Sequence, residues 1–524
     1  MKNVILIGAS MIALATATPV LSQATTPAAC VGVSGNCSII DSSGTGNTVD
    51  VMQSGSGNAS EVIQNGTNTA DADVDQDGTD NLSNIDQSDE GTTATAVAAD
   101  VTQTGATNTS DITQDASGVG ADGVTAFVSQ ADGATSIVNQ TISGDAAVGF
   151  SVTVDQVGAS SSEVTQTKTG ANGGNFAVSV IQTGDGHTSF VTQQDQGGGT
   201  DIDHVANVTQ SGSGNTSTVD QFNRIQTANV TQTGTDGTST VTQTGQTATA
   251  TLSQGGADNT STITQAGFGQ VADVTQAASS SGNTSTVTQN GNDGNNEALV
   301  FQFGVDSTST ITQDSNARGD LAVVLQQGDA NANTATINQL GDAASGAPVS
   351  GNEALIDQGG GVLNNSTITQ VVAIGVLAEN IQDGTGNVST IFQLGTDNST
   401  TVDQIGDSLG SQVVQAGEDN VLTVDQSNVN NSSLVFQATA FSFDGFRNQT
   451  AIEQTGMGNS SDVRIGVTTA SDDNFVDVLQ SGNGNTNIIT QEGDNHSAMV
   501  TQASDGNFSS IAQTGTGNSI TVNQ

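Results

Sequence analysis

Polar and apolar residues along the chain follow a period of two set inside a period of eleven. In the stretch SGSGNASEVIQ, Gly55 is followed by Asn58, Ser60, Val62 and Gln64, with Ala59, Glu61 and Ile63 between them. Alternation of this kind puts one set of side chains on one face of an extended strand and the other set on the opposite face. A turn rich in Gly, Asn and Asp follows, and the pattern restarts. In VTQTGTDGTSTVTQTG, residues 230–245, the pentad VTQTG occurs twice and sets Gln232 and Gln243 eleven residues apart. The same interval links Gln210, Gln221, Gln232, Gln243, Gln254, Gln265 and Gln276, and again Gln393, Gln404, Gln415 and Gln426. One rung is broken, because Ile465 stands eleven residues after Gln454.

An eleven-residue period also suits a right-handed helical coil. The residue types oppose that reading, since Gly recurs in nearly every unit, Thr and Val fill the strands, and good helix formers do not dominate. Each unit is therefore expected to be one short strand and one turn. Two units, about 22 residues, make one coil of an all-β, two-sided solenoid. Coils stack ~4.8 Å apart, so each inward Gln lies above its own copies. Each amide can donate to one neighbour and accept from the other, which satisfies buried polar groups that would otherwise cost ~1–3 kcal/mol each. Val, Ile and some Phe fill the space between the sheets. From Gln87 to Gln210 long and short intervals alternate, and the long units extend the inward set as Phe150, Val152, Val154, Gln156 and Phe176, Val178, Val180, Gln182. One face of the coil is expected to be wider there.

Composition changes the picture in one respect. Trp and Tyr are absent, Gly numbers 64, and aromatic residues make up 3%, so a core of large side chains is excluded. Low hydrophobicity with a formal charge of -47 would otherwise suggest a disordered acidic matrix protein; the repeat argues against it. The charge repels nucleic acid and anionic membranes, and 6 Lys and Arg supply no phosphate-binding patch. Residues 1–24, with Lys2, an apolar run from Val4 to Leu14 and the small-x-small end Ser22-Gln23-Ala24, read as a secretory signal peptide. That run is too short to span a bilayer, so an exported chain without membrane insertion is expected. Residues 25–44 form an N-terminal segment and 45–524 the repeat. Cys30 and Cys37, the two cysteines, are expected to pair in an exported protein; with no nearby His they make an incomplete metal site.

No catalytic constellation emerges, and no cofactor is expected. His187, His204 and His496 are scattered and read as rung or turn residues. The Gly-rich turns lack the context of a phosphate loop. Asp precedes Gln at Asp75, Asp86, Asp155, Asp220, Asp357, Asp403 and Asp425, which places these carboxylates outward. The plainer reading is a solvated acidic face that slows premature aggregation; the sharper one is weak Ca²⁺ association between coils. Outward positions also hold Thr238, Thr240 and Thr242, then Thr260, Thr262 and Thr264. A flat Thr array on a β-solenoid resembles that of ice-binding proteins, while Thr is also simply a good soluble strand residue.

The unit Q-x-G-x-x-N-x-[SA]-x-x-x-Q resembles the curlin repeat of bacterial curli fimbriae. Good instances are QSGSGNASEVIQ (Gln53–Gln64), QSGSGNTSTVDQ (Gln210–Gln221) and QSGNGNTNIITQ (Gln480–Gln491). The resemblance implies a secreted subunit or adhesin that polymerises with itself into extracellular amyloid fibres for adhesion and biofilm matrix, served by a surface nucleator and an outer-membrane pore. Unpaired strand edges at the solenoid ends are the expected templates. A monomeric ice-binding or surface-adhesion solenoid is the alternative.

Overall fold

The computed structural model describes residues 25–66, 69–89, 96–117, 123–143, 148–169, 174–195, 202–291, 295–314, 317–328, 331–341, 349–437, 446–469 and 471–524. The expected signal peptide lies outside them. Strands alternate between two sheets, and the described residues contain no helix. The first sheet begins with Cys37–Ser43, Ala59–Gly66 and Leu82–Asp89 and closes with Phe508–Thr516. The second begins with Thr48–Ser56 and Ala70–Thr79 and closes with Ser497–Gln502 and Ser519–Asn523. Within each sheet a strand pairs in parallel with the strand one coil away, as Thr238–Gln243 does with Thr260–Gln265. One further parallel pair, Ala317–Arg318 with Val349–Ser350, lies apart from the two sheets. The chain is thus a two-sheet β-solenoid.

Register follows the sequence repeat residue for residue: Thr238 pairs with Thr260, Ser239 with Ser261, Val241 with Ile263 and Gln243 with Gln265. A slip of one position would turn every inward side chain outward. The buried set is the one that alternation selects, and Asn58, Ser60, Val62 and Gln64 are fully buried. Val62, Ile85 and Ile112 on one sheet belong to the same apolar core as Val74, Val101 and Val128 on the other, and that core continues to Ile511. Branched aliphatic side chains suit a thin core between two pleated sheets ~10 Å apart. Turns rely on glycine where coils nearly touch: at Gly395, φ is +107°, and a Cβ there would overlap the Gly417 carbonyl of the next coil.

The structure departs from the expected geometry in two places. The 22-residue coil is met where the Gln interval is regular, as between Gln232 and Gln254. It lengthens to 32 residues between Gln326 and Gln358, because a strand pair fixes register while the connecting segment is free to grow. The wide block also widens on both sheets. Val97, Val124, Phe150 and Phe176 extend the second sheet, and Ala116 and Ile142 extend the first, making a second apolar cluster. Lys168 and Asp195 continue the inward column of the first sheet and form an ion pair of 2.8 Å with both side chains buried. The Phe150 and Phe176 rings stack at 4.8 Å, and His204 lies 4.7 Å beyond Phe176. Burial holds the His204 pKa down at about 4, so the ring is neutral near pH 7.

At the N-terminal end, Cys30 and Cys37 form a disulfide. Cys37 is already the first residue of a ladder strand, so the repeating structure begins before residue 45. Asn36 joins it too, accepting from Asn58 N at 3.2 Å and donating to the Gln53 carbonyl at 3.2 Å.

Candidate functional site: amide ladders and outer faces

The inward Gln side chains form two ladders along the solenoid axis. In the second sheet Gln210 Nε2 donates to Gln232 Oε1 at 2.8 Å, Gln232 to Gln254 at 2.8 Å, and Gln254 to Gln276 at 2.9 Å. In the first sheet Gln221 donates to Gln243 and Gln243 to Gln265, both at 2.9 Å. Further along, Gln393 donates to Gln415 at 3.1 Å and Gln404 to Gln426 at 2.8 Å. The amide always donates toward the C-terminal coil, so both ladders are polar. The second proton of each amide crosses the core: Gln232 Nε2 donates to the Thr216 carbonyl at 3.1 Å, and Gln243 Nε2 to the Thr227 carbonyl at 3.0 Å. One side chain therefore ties its own strand to three others, two in its own sheet and one in the facing sheet. Where the column is unbroken, both amide protons and the oxygen are bonded, as at Gln232 and Gln243, and burial is compensated.

A second ladder closes the turns. Asn398 Nδ2 donates to the Leu394 carbonyl and to the Gly417 carbonyl of the next coil, both at 3.0 Å, while its Oδ1 accepts from Asn420 N at 3.1 Å. His187 and His496 stand in this Asn column and reproduce two of these three side-chain bonds. His187 Nε2 meets the Thr183 carbonyl at 3.2 Å and its Nδ1 accepts from Asn215 N at 3.3 Å. His496 does the same with Glu492 and Asn518. Asp320 also takes an Asn place, accepting from Asn352 N at 3.0 Å through Oδ1. Its other oxygen is buried without a partner, where an Asn amide would donate. Burial raises its pKa to about 6, against smaller opposing hydrogen bonds from Asn352.

The ladder defect at Ile465 has a visible cost. Ile465 pairs with Gln437 and Gln491 and is buried among them. Gln437 Nε2 turns instead to Thr450 Oγ1 at 2.7 Å, and Gln491 Oε1 is left buried without a donor. Serine forms another inward column, and the hydroxyls of Ser60, Ser83, Ser110 and Ser239 are likewise buried without partners. Ala335 fills the same column in one coil. In these coils the position is used for packing alone, whereas Ser261 Oγ donates to Gln276 Oε1 at 2.9 Å and Ser433 Oγ to Ser411 Oγ at 3.1 Å.

The outer faces carry the acidic and Thr positions read from the sequence. Asp403 stacks directly on Asp425, and burial, followed by Asp425, Glu379 and Asp383, raises the Asp403 pKa. Asp73 and Asp100 pair across adjacent coils, and both are raised by burial first and by neighbouring aspartates second. No group of three or more His, Cys, Asp or Glu suited to a metal ion occurs among the described residues. The Thr rows lie in register, Thr238, Thr240 and Thr242 above Thr260, Thr262 and Thr264. Ladder polarity, the cross-core bond and the buried Lys168–Asp195 pair escaped the sequence reading. The pair had a signal, since Lys168 follows Gln166 by two residues and alternation already places it inward.

No curated protein matches the chain. A family model does: residues 44–78, 381–406 and 472–503 match the curlin associated repeat.

Proposed function

We propose that the chain is a secreted, curli-like structural subunit or adhesin that polymerises with itself into an extracellular fibre for cell adhesion and biofilm matrix. One observation carries this reading: each coil offers its neighbour a register and a set of amide donors and acceptors that hardly change along the molecule. A coil of a second copy would meet the partners that an internal coil meets. The curlin associated repeats and the solenoid fold support a structural, adhesive role rather than a catalytic one. Addition runs along the axis, with backbone edges giving affinity and the Gln and Asn columns giving register. A nucleator and an outer-membrane pore are the partners that the family resemblance suggests.

The test is assembly of the purified chain lacking residues 1–24, followed by Thioflavin T fluorescence and electron microscopy. Unbranched fibres whose lag is shortened by fragments of preformed fibre are expected. Monomers that persist through prolonged incubation and ignore such seeds would reject polymerisation and leave the solenoid standing.

A further inference from the structure

Over four coils the outer face of the first sheet is a neutral threonine lattice in a strongly acidic molecule. Four consecutive strands, Thr238–Gln243, Thr260–Gln265, Thr284–Gln289 and Thr308–Asp314, each turn three threonines outward. Register holds across all of them: Thr240 pairs with Thr262, Thr262 with Thr286, and Thr286 with Thr310. The flanking strands extend two of the columns, through Thr216 and Thr218 at one side and Thr334 and Thr336 at the other. Side chains recur every ~6.7 Å along a strand and every ~4.8 Å between strands. Threonine is stiff at χ1, so methyl and hydroxyl groups are held at fixed points of this grid.

The facing sheet provides the contrast. Over the same coils its outward positions include Asp273 and Glu297, then Leu299 and Phe301, so neither charge nor side-chain size repeats there. The Thr grid is free of ionisable groups from Thr238 to Thr312, and the nearest carboxylate in its columns is Asp220, paired with Thr242. Within the grid a charged ligand would find no counter-charge and an aromatic-stacking ligand no ring; carboxylates stand at its borders, at Asp220 and at Asp314, two residues beyond Thr312 on the same face. What the grid matches is an uncharged, two-dimensionally periodic partner made of hydrogen-bonding units, which is the surface of ice.

We propose that this threonine face binds ice. The hydroxyls anchor water while the methyl groups hold neighbouring water in ordered cages, so that the face arrives carrying a patch of ice-like water. The site is independent of the proposed fibre and would operate on a monomer or along a polymer.

Thermal hysteresis and ice-recrystallisation inhibition of the full secreted chain test it, with circular dichroism confirming the fold of every variant. Wild type is expected to shape ice crystals and show hysteresis. Thr240→Lys, Thr262→Lys and Thr286→Lys combined should reduce both signals to the buffer value. Asn229→Lys with Thr251→Lys, at the corresponding column of the facing sheet, should leave them intact. If the triple Lys variant does not fold, Thr240→Ser, Thr262→Ser and Thr286→Ser combined keeps the hydroxyls, removes the methyls and should still lose most of the activity. Wild type indistinguishable from buffer, or equal loss from changes on either sheet, would overturn the assignment.

Discussion

At the scale of the residue, the polar inward columns differ in what they contribute. Gln243 makes three hydrogen bonds, to Gln221, Gln265 and the Thr227 carbonyl. Truncating Gln243→Ala strands all three partners, and each buried unsatisfied group costs ~1–3 kcal/mol. Ser239 has a buried hydroxyl without a partner, so Ser239→Ala should be neutral or stabilising by up to ~1 kcal/mol. Chemical denaturation of the two variants should therefore move in opposite directions or leave Ser239→Ala unmoved; similar losses from both would count against the column roles. Asp320 offers a pH test. Its folded pKa of about 6 lies above the ordinary 3.8, so the native state holds a proton that the unfolded chain releases between these values. Stability is then lost as pH rises from about 4 to about 6 and stays lower above that. Asp320→Asn supplies the missing donor permanently and should raise stability by ~1–3 kcal/mol near pH 7, with little change near pH 4. A gain of equal size at both pH values would contradict the assignment.

At the scale of the element, the strand, its inward face and its eleven-residue step were legible because one coil repeats the environment of the last. Asn58, Ser60, Val62 and Gln64 are buried together, as strict alternation requires. His187 and His496 were legible as turn residues from their place at the Asn position. Alternation cannot tell where a strand stops, which is why the paired extension to Lys168 and Asp195 was read as a wider single face. Nor does it set coil length, since a turn absorbs extra residues without disturbing register. The direction of amide donation is a collective property of a stacked column and leaves no mark in any one unit. The Ile465 gap bears on the same level. Stability of a stacked repeat is close to a sum of coil terms and nearest-neighbour terms, so the coils flanking Ile465 should open more readily than their neighbours. Ile465→Gln gives Gln437 an acceptor and Gln491 a donor, with an expected gain of ~1–2 kcal/mol. Hydrogen exchange should show slower opening of Ser432–Gln437 and Thr486–Asp494 in that variant; faster exchange there would oppose the ladder account.

At the scale of the whole molecule, a charge of -47 opposes the stacking that hydrogen bonds favour. Copies adding end to end bring like-charged columns together, as Asp403 on Asp425 already shows inside the chain. The raised pKa values of Asp73, Asp100 and Asp403 give the sign: these groups take up protons on folding, so acidification relieves the strain of stacking. His204 works the other way, because its pKa is lowered to about 4 and its contribution is lost as pH falls from 6.5 toward 4. Many carboxylates oppose one imidazole, so fibre growth should accelerate as pH falls from neutral toward the carboxylate range, and millimolar Ca²⁺ should act in the same direction by screening. Growth rates unchanged by both conditions would remove the electrostatic brake from the account. The most direct measurement of the central claim is cryo-electron microscopy of fibres grown from the purified chain. Two-sheet coils stacked ~4.8 Å apart along the fibre axis are expected, in parallel register, with both Gln columns continuing from one molecule into the next. Fibres in which solenoids lie side by side, with the columns ending inside each molecule, would contradict it.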